Sequence, residues 1–166
     1  YRFWAKIRIQ HLSQWTSSWM LPEISAGGKG KGADLAWWDM LLDTELHRLN
    51  DREHAGLIMD IYKCFDQIRR DILCDMAKHA GMPKQVLGAY MRFQESLKTR
   101  NGQGSGLGRE YTRKCGIPQG CPFSMVFCAL LLRAWQVQMI AIGALPRTLA
   151  DDLLLMVKGS RACLLY

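Results

Sequence analysis

Three aspartates beside apolar runs are the residues best suited to chemistry. Asp60 ends the run "AGLIMD", and Asp151 and Asp152 stand together inside "LADDLLLMVK". Neighbouring carboxylates repel each other, and a divalent cation reverses the sign of that interaction. Mg²⁺ takes oxygen ligands, commonly one or two carboxylates with water and substrate phosphates. The pattern therefore predicts that Asp60 meets the adjacent pair at a cation site. For the pair alone, a water-exposed hairpin turn is the alternative.

Two other short motifs have residue types that could serve a site. In "DIYKCFD", Phe65 follows the first aspartate by five residues, and Asp66 is expected to cap the next helix. In "GIPQG", Pro118 fixes the backbone, Gln119 offers an amide, and Gly120 lets another chain approach closely. Each motif alone is also typical of an ordinary turn, so neither identifies a function by itself.

Basic residues are concentrated in two stretches of the chain. The net charge is +7, with an excess of Lys and Arg in residues 1–32 and 84–114 and an excess of acids in residues 33–55. Basic stretches suit a polyanionic partner, because Lys and Arg release counterions when they neutralise phosphates; a basic solvated surface is the alternative. The loop "GKGKGA" presents Lys29 and Lys31. No strand precedes it, so a dinucleotide-binding fold is not indicated.

Cysteine spacing and hydropathy narrow the class of protein. The six cysteines form no C-x-x-C motif and have no His at zinc spacing, so reduced thiols in an intracellular protein are expected. The longest uncharged apolar run, residues 121–132, is shorter than the roughly 20 residues of a membrane span, so no membrane partner is expected. The chain starts at Tyr1 rather than at a methionine, and we expect a fragment of a longer polypeptide.

Hydrophobic periodicity predicts an α+β (α/β) fold with a small, mostly antiparallel sheet packed on helices. Helices are predicted over residues 3–19, 34–49, 66–80, 84–97 and 124–142. Strands are predicted over residues 55–60, 97–100, 109–114, 148–150 and 153–157. We expect the first strand to be buried, the six tryptophans to lie in the core, and Asp34 to cap its helix. One apolar face of that helix carries Leu35, Trp38, Leu42, Leu46 and Leu49.

Three segments in order, "DIYKCFDQIRRDIL", "GIPQGCPFSM" and "LADDLLL", resemble the palm of a reverse transcriptase, above all that of non-LTR retrotransposons. The resemblance covers roughly residues 23–158. It implies a partial fingers or N-terminal helical region over residues 1–54 and a palm subdomain over residues 55–166, without a thumb. The palm motifs fall at residues 60–66, 116–125 and 149–152. Leu149 stands where an aromatic residue is usual, and Met125 where a proline is common.

The resemblance also implies a role for individual residues. Asp60 and Asp151 would bind both catalytic metals, two Mg²⁺ or Mn²⁺ ions, with Asp152 as auxiliary acid and Ile61 offering a backbone carbonyl. Phe65 would be the steric gate that excludes a 2′-hydroxyl. The resemblance also implies that the incoming nucleotide is contacted by Lys63, Gln119 and Gly120. It implies that nucleic acid is contacted by Lys29, Lys31 and Arg70.

The function that the resemblance implies is RNA-directed DNA polymerisation, the template-directed addition of dNTPs to a primer 3′-hydroxyl. The partners would be an RNA template, a DNA primer and dNTPs, the source a retrotransposon-type element, and the location intracellular and nuclear. A catalytically inactive nucleic-acid-binding remnant of a decayed or domesticated element is the alternative. A third interpretation is a soluble domain whose acids only decorate turns.

Overall fold

The computed structural model describes residues 1–28 and 30–159. In this part of the chain the helices are α1 Arg2–His11, α2 Ser13–Trp19, α3 Ala33–Leu49, α4 Cys64–Gln67, α5 Arg70–His79, α6 Lys84–Ser96 and α7 Pro122–Ala141. The strands are β1 His54–Asp60, β2 Lys98–Thr99, β3 Gly102–Gln103, β4 Gly106–Leu107, β5 Tyr111–Thr112, β6 Leu145–Leu149 and β7 Asp152–Lys158. All strand pairs are antiparallel. The α+β class predicted from the sequence is confirmed.

The chain divides into two compact units. The first unit contains Tyr1–Trp15 and Lys63–Ser124, and the second contains Thr16–Tyr62 and the chain from Met125 onward. Each unit combines two separate segments of the chain, and neither unit ends at the predicted boundary between residues 54 and 55. The assignment of fingers and palm subdomains to residues 1–54 and 55–166 therefore stays a prediction.

A three-stranded sheet organises the second unit, in the order β1-β7-β6. The central strand β7 carries apolar residues on both faces, and four of them are buried: Leu153, Leu155, Met156 and Val157. On one face Leu155 and Val157 form a buried cluster with Ala144, against which Trp135 and Met139 of α7 pack. Helix α7 thus covers one face of the sheet and holds β7 in place.

The prediction that β1 is buried is wrong. In the described part of the chain it is an edge strand that pairs only with β7, and Leu57 and Ile58 are exposed, Ile58 to 73%. The sequence of a short apolar run does not distinguish a central strand from an edge strand. Asp60, the last residue of β1, is therefore accessible to solvent.

Helix α3 packs with the face opposite to the one that its periodicity indicates. The leucines of the predicted apolar face are exposed, at 64% for Leu42 and 80% for Leu49. The prediction that Trp37 and Trp38 lie in the core is wrong, since both are exposed. Ala36, Met40 and Asp43 are half-buried on the sheet side of the helix, and His47 is its buried residue.

The ends and anchoring of α3 differ in detail from prediction. The cap is Gly32 rather than Asp34, which lies in the first turn. Asp43 pairs with Arg147 of β6 at 2.5 Å. Burial raises the pKa of Asp43, but the hydrogen bond and charge of Arg147 outweigh it and hold that pKa below its ordinary value. This ion pair fixes α3 on the sheet.

The first unit is built on α5 and α6, which bury Leu73, Leu87 and Tyr90. The predicted hairpin is confirmed as the pair β2–β5, with the small pair β3–β4 between them. Two boundary predictions are wrong. Asp66 lies inside the short helix α4 rather than capping the next helix, and the single helix predicted over residues 3–19 is interrupted at Leu12.

Helix α7 is 20 residues long and, by length and composition alone, apolar enough to cross a membrane. Its contacts are those of a core helix. Gln136 donates to the hydroxyl of Thr148 at 3.0 Å, and the thiol of Cys128 donates to the carbonyl of Ala150 at 3.3 Å. Both bonds connect the helix to the β6–β7 hairpin, so α7 supports the hairpin.

Candidate functional site

The pairing register brings two of the predicted acids face to face. Asp60, the last residue of β1, is the partner of Asp152, the first residue of β7. The N–H of Ile61 donates to the carbonyl of Asp151 at 3.2 Å, so the pair Asp60 and Asp152 belongs to the non-hydrogen-bonded type. In such pairs the Cα atoms are about 4.5 Å apart and the side chains project from the same face. Two exposed carboxylates therefore lie side by side at one end of the sheet.

The third acid lies at the tip of the β6–β7 hairpin. Ala150 and Asp151 form the two-residue connection between the strands. Ala150 has a φ of +57°, a conformation that hairpin turns usually assign to glycine or asparagine. Its carbonyl accepts the thiol of Cys128, which ties the tip to α7. Asp151 is half-buried beside the exposed Asp152.

The donor set suits a hard divalent cation that is shared with a substrate. Within residues 1–28 and 30–159, no three His, Cys, Asp or Glu side chains are grouped to hold a metal by themselves. Mg²⁺ does not require such a cage, since it is commonly bound by one or two carboxylates with waters and substrate phosphates. Like charges directly opposite on neighbouring strands are destabilising, and a cation would offset this. Asp60, Asp151 and Asp152 fit this mode of binding.

Leu149 lies on the same face of the sheet as Asp60 and Asp152. Leu149 also pairs with Asp152 in register, across the β6–β7 ladder. Its side chain lines an apolar groove between α3 and the sheet, together with Trp37, Met40 and Ile58. The residue that departs from the family pattern thus lies beside the acids, in a surrounding that suits an aliphatic side chain. The sequence carried no signal for this contact.

In the first unit the segment before "PQG" is docked on the α4 region. The N–H of Ile117 donates to the carbonyl of Phe65 at 2.8 Å, and the N–H of Gly116 donates to that of Ile68 at 2.8 Å. Gly116 has a φ of +82°, and a Cβ there would lie 2.8 Å from the carbonyl oxygen of Asp66. Only glycine fits this close approach.

Most other predicted nucleotide contacts of the first unit are accessible. Gln119, Gly120 and Lys63 are exposed, whereas Phe65 is half-buried. The hydroxyl of Ser124 donates to the carbonyl of Pro118 at 2.7 Å and so fixes the end of the loop. Their roles toward a nucleotide stay predictions.

Two of the predicted nucleic-acid contacts have structural partners, and a third is not described. The Lys31 ammonium donates to the carbonyls of Leu21 and Pro22, at 3.1 and 2.7 Å. Burial lowers the pKa of Lys31, against the opposing charges of nearby acids. The Arg70 guanidinium donates to backbone carbonyls, among them that of Gly116 at 2.6 Å. Lys29 lies outside the described residues. Binding of nucleic acid by these residues stays a prediction.

Comparison with known proteins identifies the family. The model of the family "Reverse transcriptase (RNA-dependent DNA polymerase)" matches residues 5–165. The chain therefore belongs to the reverse transcriptase family. No curated protein matches it.

A solved structure supports the fold. The apo telomerase from Candida tropicalis, truncated from its C-terminal domain, is similar over 98% of this chain, with a TM-score of 0.60 and 14% identity. This chain spans 34% of the telomerase chain.

Proposed function

We propose that this chain is the catalytic segment of an RNA-directed DNA polymerase that adds dNTPs to a primer 3′-hydroxyl on an RNA template. The observation that carries the proposal is the register of β1 and β7, in which Asp60 and Asp152 face each other beside the hairpin tip that bears Asp151. Membership of the reverse transcriptase family supports the same reaction.

The carboxylates have the main role in this proposal. Asp60 and Asp151 hold two divalent ions, Mg²⁺ or Mn²⁺, with Asp152 as the auxiliary acid and the Ile61 carbonyl as a further ligand. When bound, such ions lower the pKa of the attacking hydroxyl and neutralise charge on the leaving pyrophosphate. The rest of the acceleration comes from positioning and fixed electrostatics.

Residues of the first unit handle the nucleotide. Phe65 excludes a 2′-hydroxyl by steric conflict, and Gln119 and Gly120 line the incoming base and its template partner. Lys63 lies near the triphosphate. Base pairing reads the template sequence, so the protein needs only backbone contacts to nucleic acid, which the basic stretches supply.

Primer extension by the full-length protein tests the proposal. We expect template-dependent dNTP incorporation that falls by at least about 10³-fold in Asp151→Asn, because a neutral amide is a much weaker cation ligand than a carboxylate. Asp51→Asn is the matched control, since Asp51 is an exposed acid in the turn before β1 whose positive φ asparagine also tolerates.

Undiminished incorporation in Asp151→Asn would refute the proposal. A wild-type protein without incorporation, but with salt-sensitive RNA binding, would instead identify the inactive nucleic-acid-binding remnant.

We further propose that the source is a non-LTR retrotransposon and that the protein acts in the nucleus. The order of the three motifs supports this origin. A genomic reading frame that also encodes an endonuclease would agree with it, and a reading frame flanked by long terminal repeats would contradict it.

A further inference from the structure

Arg70 uses its guanidinium group to hold four backbone carbonyls. Its Nε donates to Gly116 at 2.6 Å, and its terminal nitrogens donate to Gln94 at 3.2 Å, Arg113 at 2.9 Å and Cys115 at 3.3 Å. Three of these acceptors lie in one stretch, residues 113–116, which leads from β5 into "GIPQG". The side chain at the start of α5 thus fixes the backbone of this stretch.

The stretch that Arg70 fixes is the one on which the α4 region is docked. The amides of Gly116 and Ile117 donate to the carbonyls of Ile68 and Phe65, each at 2.8 Å. An ion pair of Asp66 with Arg113, at 2.9 Å, makes a third connection between the same two segments. Phe65 is therefore attached, through its own carbonyl, to a backbone that Arg70 holds.

We propose that Arg70 is a positioning residue that sets the discrimination between deoxyribonucleotides and ribonucleotides. This inference rests on the proposed function and on the role of Phe65 within it. A steric gate excludes a hydroxyl only while its position is fixed, because a shift of a few tenths of an ångström relieves a van der Waals conflict. Arg70 supplies that rigidity without touching the nucleotide.

Lysine cannot replace arginine in this arrangement. The guanidinium is a planar fork with five donors, and it reaches carbonyls in several directions at once. A lysine ammonium is a compact point charge at the end of a flexible chain. Arg70→Lys keeps the charge but leaves several of the four carbonyls without their donor, so the stretch over residues 113–116 becomes free to shift.

The ratio of kcat/KM for a dNTP to kcat/KM for the matching rNTP, measured on the full-length enzyme, tests the proposal. The ratio does not depend on the fraction of active enzyme, so a loss of folded protein cannot change it. We expect it to fall by about tenfold or more in Arg70→Lys and to stay within about twofold of wild type in Arg69→Ala. Arg69 is the matched control, because it is an exposed neighbour that pairs only with Asp71 among the ion pairs described.

Hydrogen exchange on the same full-length variants gives a readout independent of catalysis. The amides of Gly116 and Ile117 should exchange faster in Arg70→Lys than in wild type and Arg69→Ala. If Arg70→Lys does not fold, Arg113→Lys disturbs the same docking from a partly exposed position and should lower the ratio in the same direction.

The outcomes separate the inference from the proposed function. An active Arg70→Lys enzyme with a wild-type ratio would overturn the inference and leave the proposed function intact. Unchanged exchange at Gly116 and Ile117 would overturn it as well. A wild-type protein that incorporates no nucleotide would overturn the proposed function, and the inference with it.

Discussion

At the scale of single residues, the acids at the end of β1 and the start of β7 are placed where their charges destabilise the folded protein. Asp60 and Asp152 are direct partners in an antiparallel ladder. Opposite charges at such positions stabilise a sheet, and like charges destabilise it. Nothing else in the register requires an acid at both positions, since the apolar partners further along β1 and β7 build the same ladder. We interpret these facing carboxylates as part of the proposed cation site.

Asp152→Asn tests this repulsion in the absence of divalent cations. We expect the variant to raise the Tm by roughly 1–3 °C in a buffer with a chelator, because it removes one of two facing charges. Differential scanning calorimetry measures the change, and Asp51→Asn should leave the Tm unaltered. A lower Tm for Asp152→Asn would contradict the account, since it would mean that Asp152 stabilises the metal-free protein.

At the scale of elements, helix α3 shows where periodicity fails as a guide. The spacing of Leu35, Trp38, Leu42 and their neighbours correctly predicts a helix, and the helix is present over Ala33–Leu49. The same spacing points to the wrong face, because the leucines it selects are exposed while His47 is the buried residue of the helix. The ion pair of Asp43 with Arg147 fixes the orientation of the helix on the sheet. The spacing of apolar residues carries no signal for this ion pair.

Glutamate substitutions on the two faces of α3 test its orientation. Ala36→Glu should lower the free energy of unfolding by about 1–3 kcal/mol, because it brings a charge into the apolar groove between the helix and the sheet. Leu42→Glu should change it by less than about 0.5 kcal/mol, since this side chain is already exposed. Urea denaturation of both variants measures the difference. The reverse order of effects would show that the leucine face is the buried one.

At the scale of the whole molecule, the sequence was sufficient to predict the fold class, the order of most elements and the family. The order of "DIYKCFD", "GIPQG" and "LADD" carried the family assignment, and the match over residues 5–165 confirms it. Local sequence could not predict the exposure of β1 or the four carbonyl contacts of Arg70, because both depend on which segments meet in three dimensions. The resemblance implied contact of Arg70 with nucleic acid, and the structure adds its hydrogen bonds to four backbone carbonyls.

Asp60 and the hairpin acids Asp151 and Asp152 should form a divalent cation site. Titration of Mn²⁺ into the metal-free protein, followed by the loss of the free-ion signal in electron paramagnetic resonance, tests it most directly. We expect binding by the wild type and by Asp51→Asn, and at least tenfold weaker binding by Asp60→Asn. Equal binding of Mn²⁺ by wild type and Asp60→Asn would contradict the account.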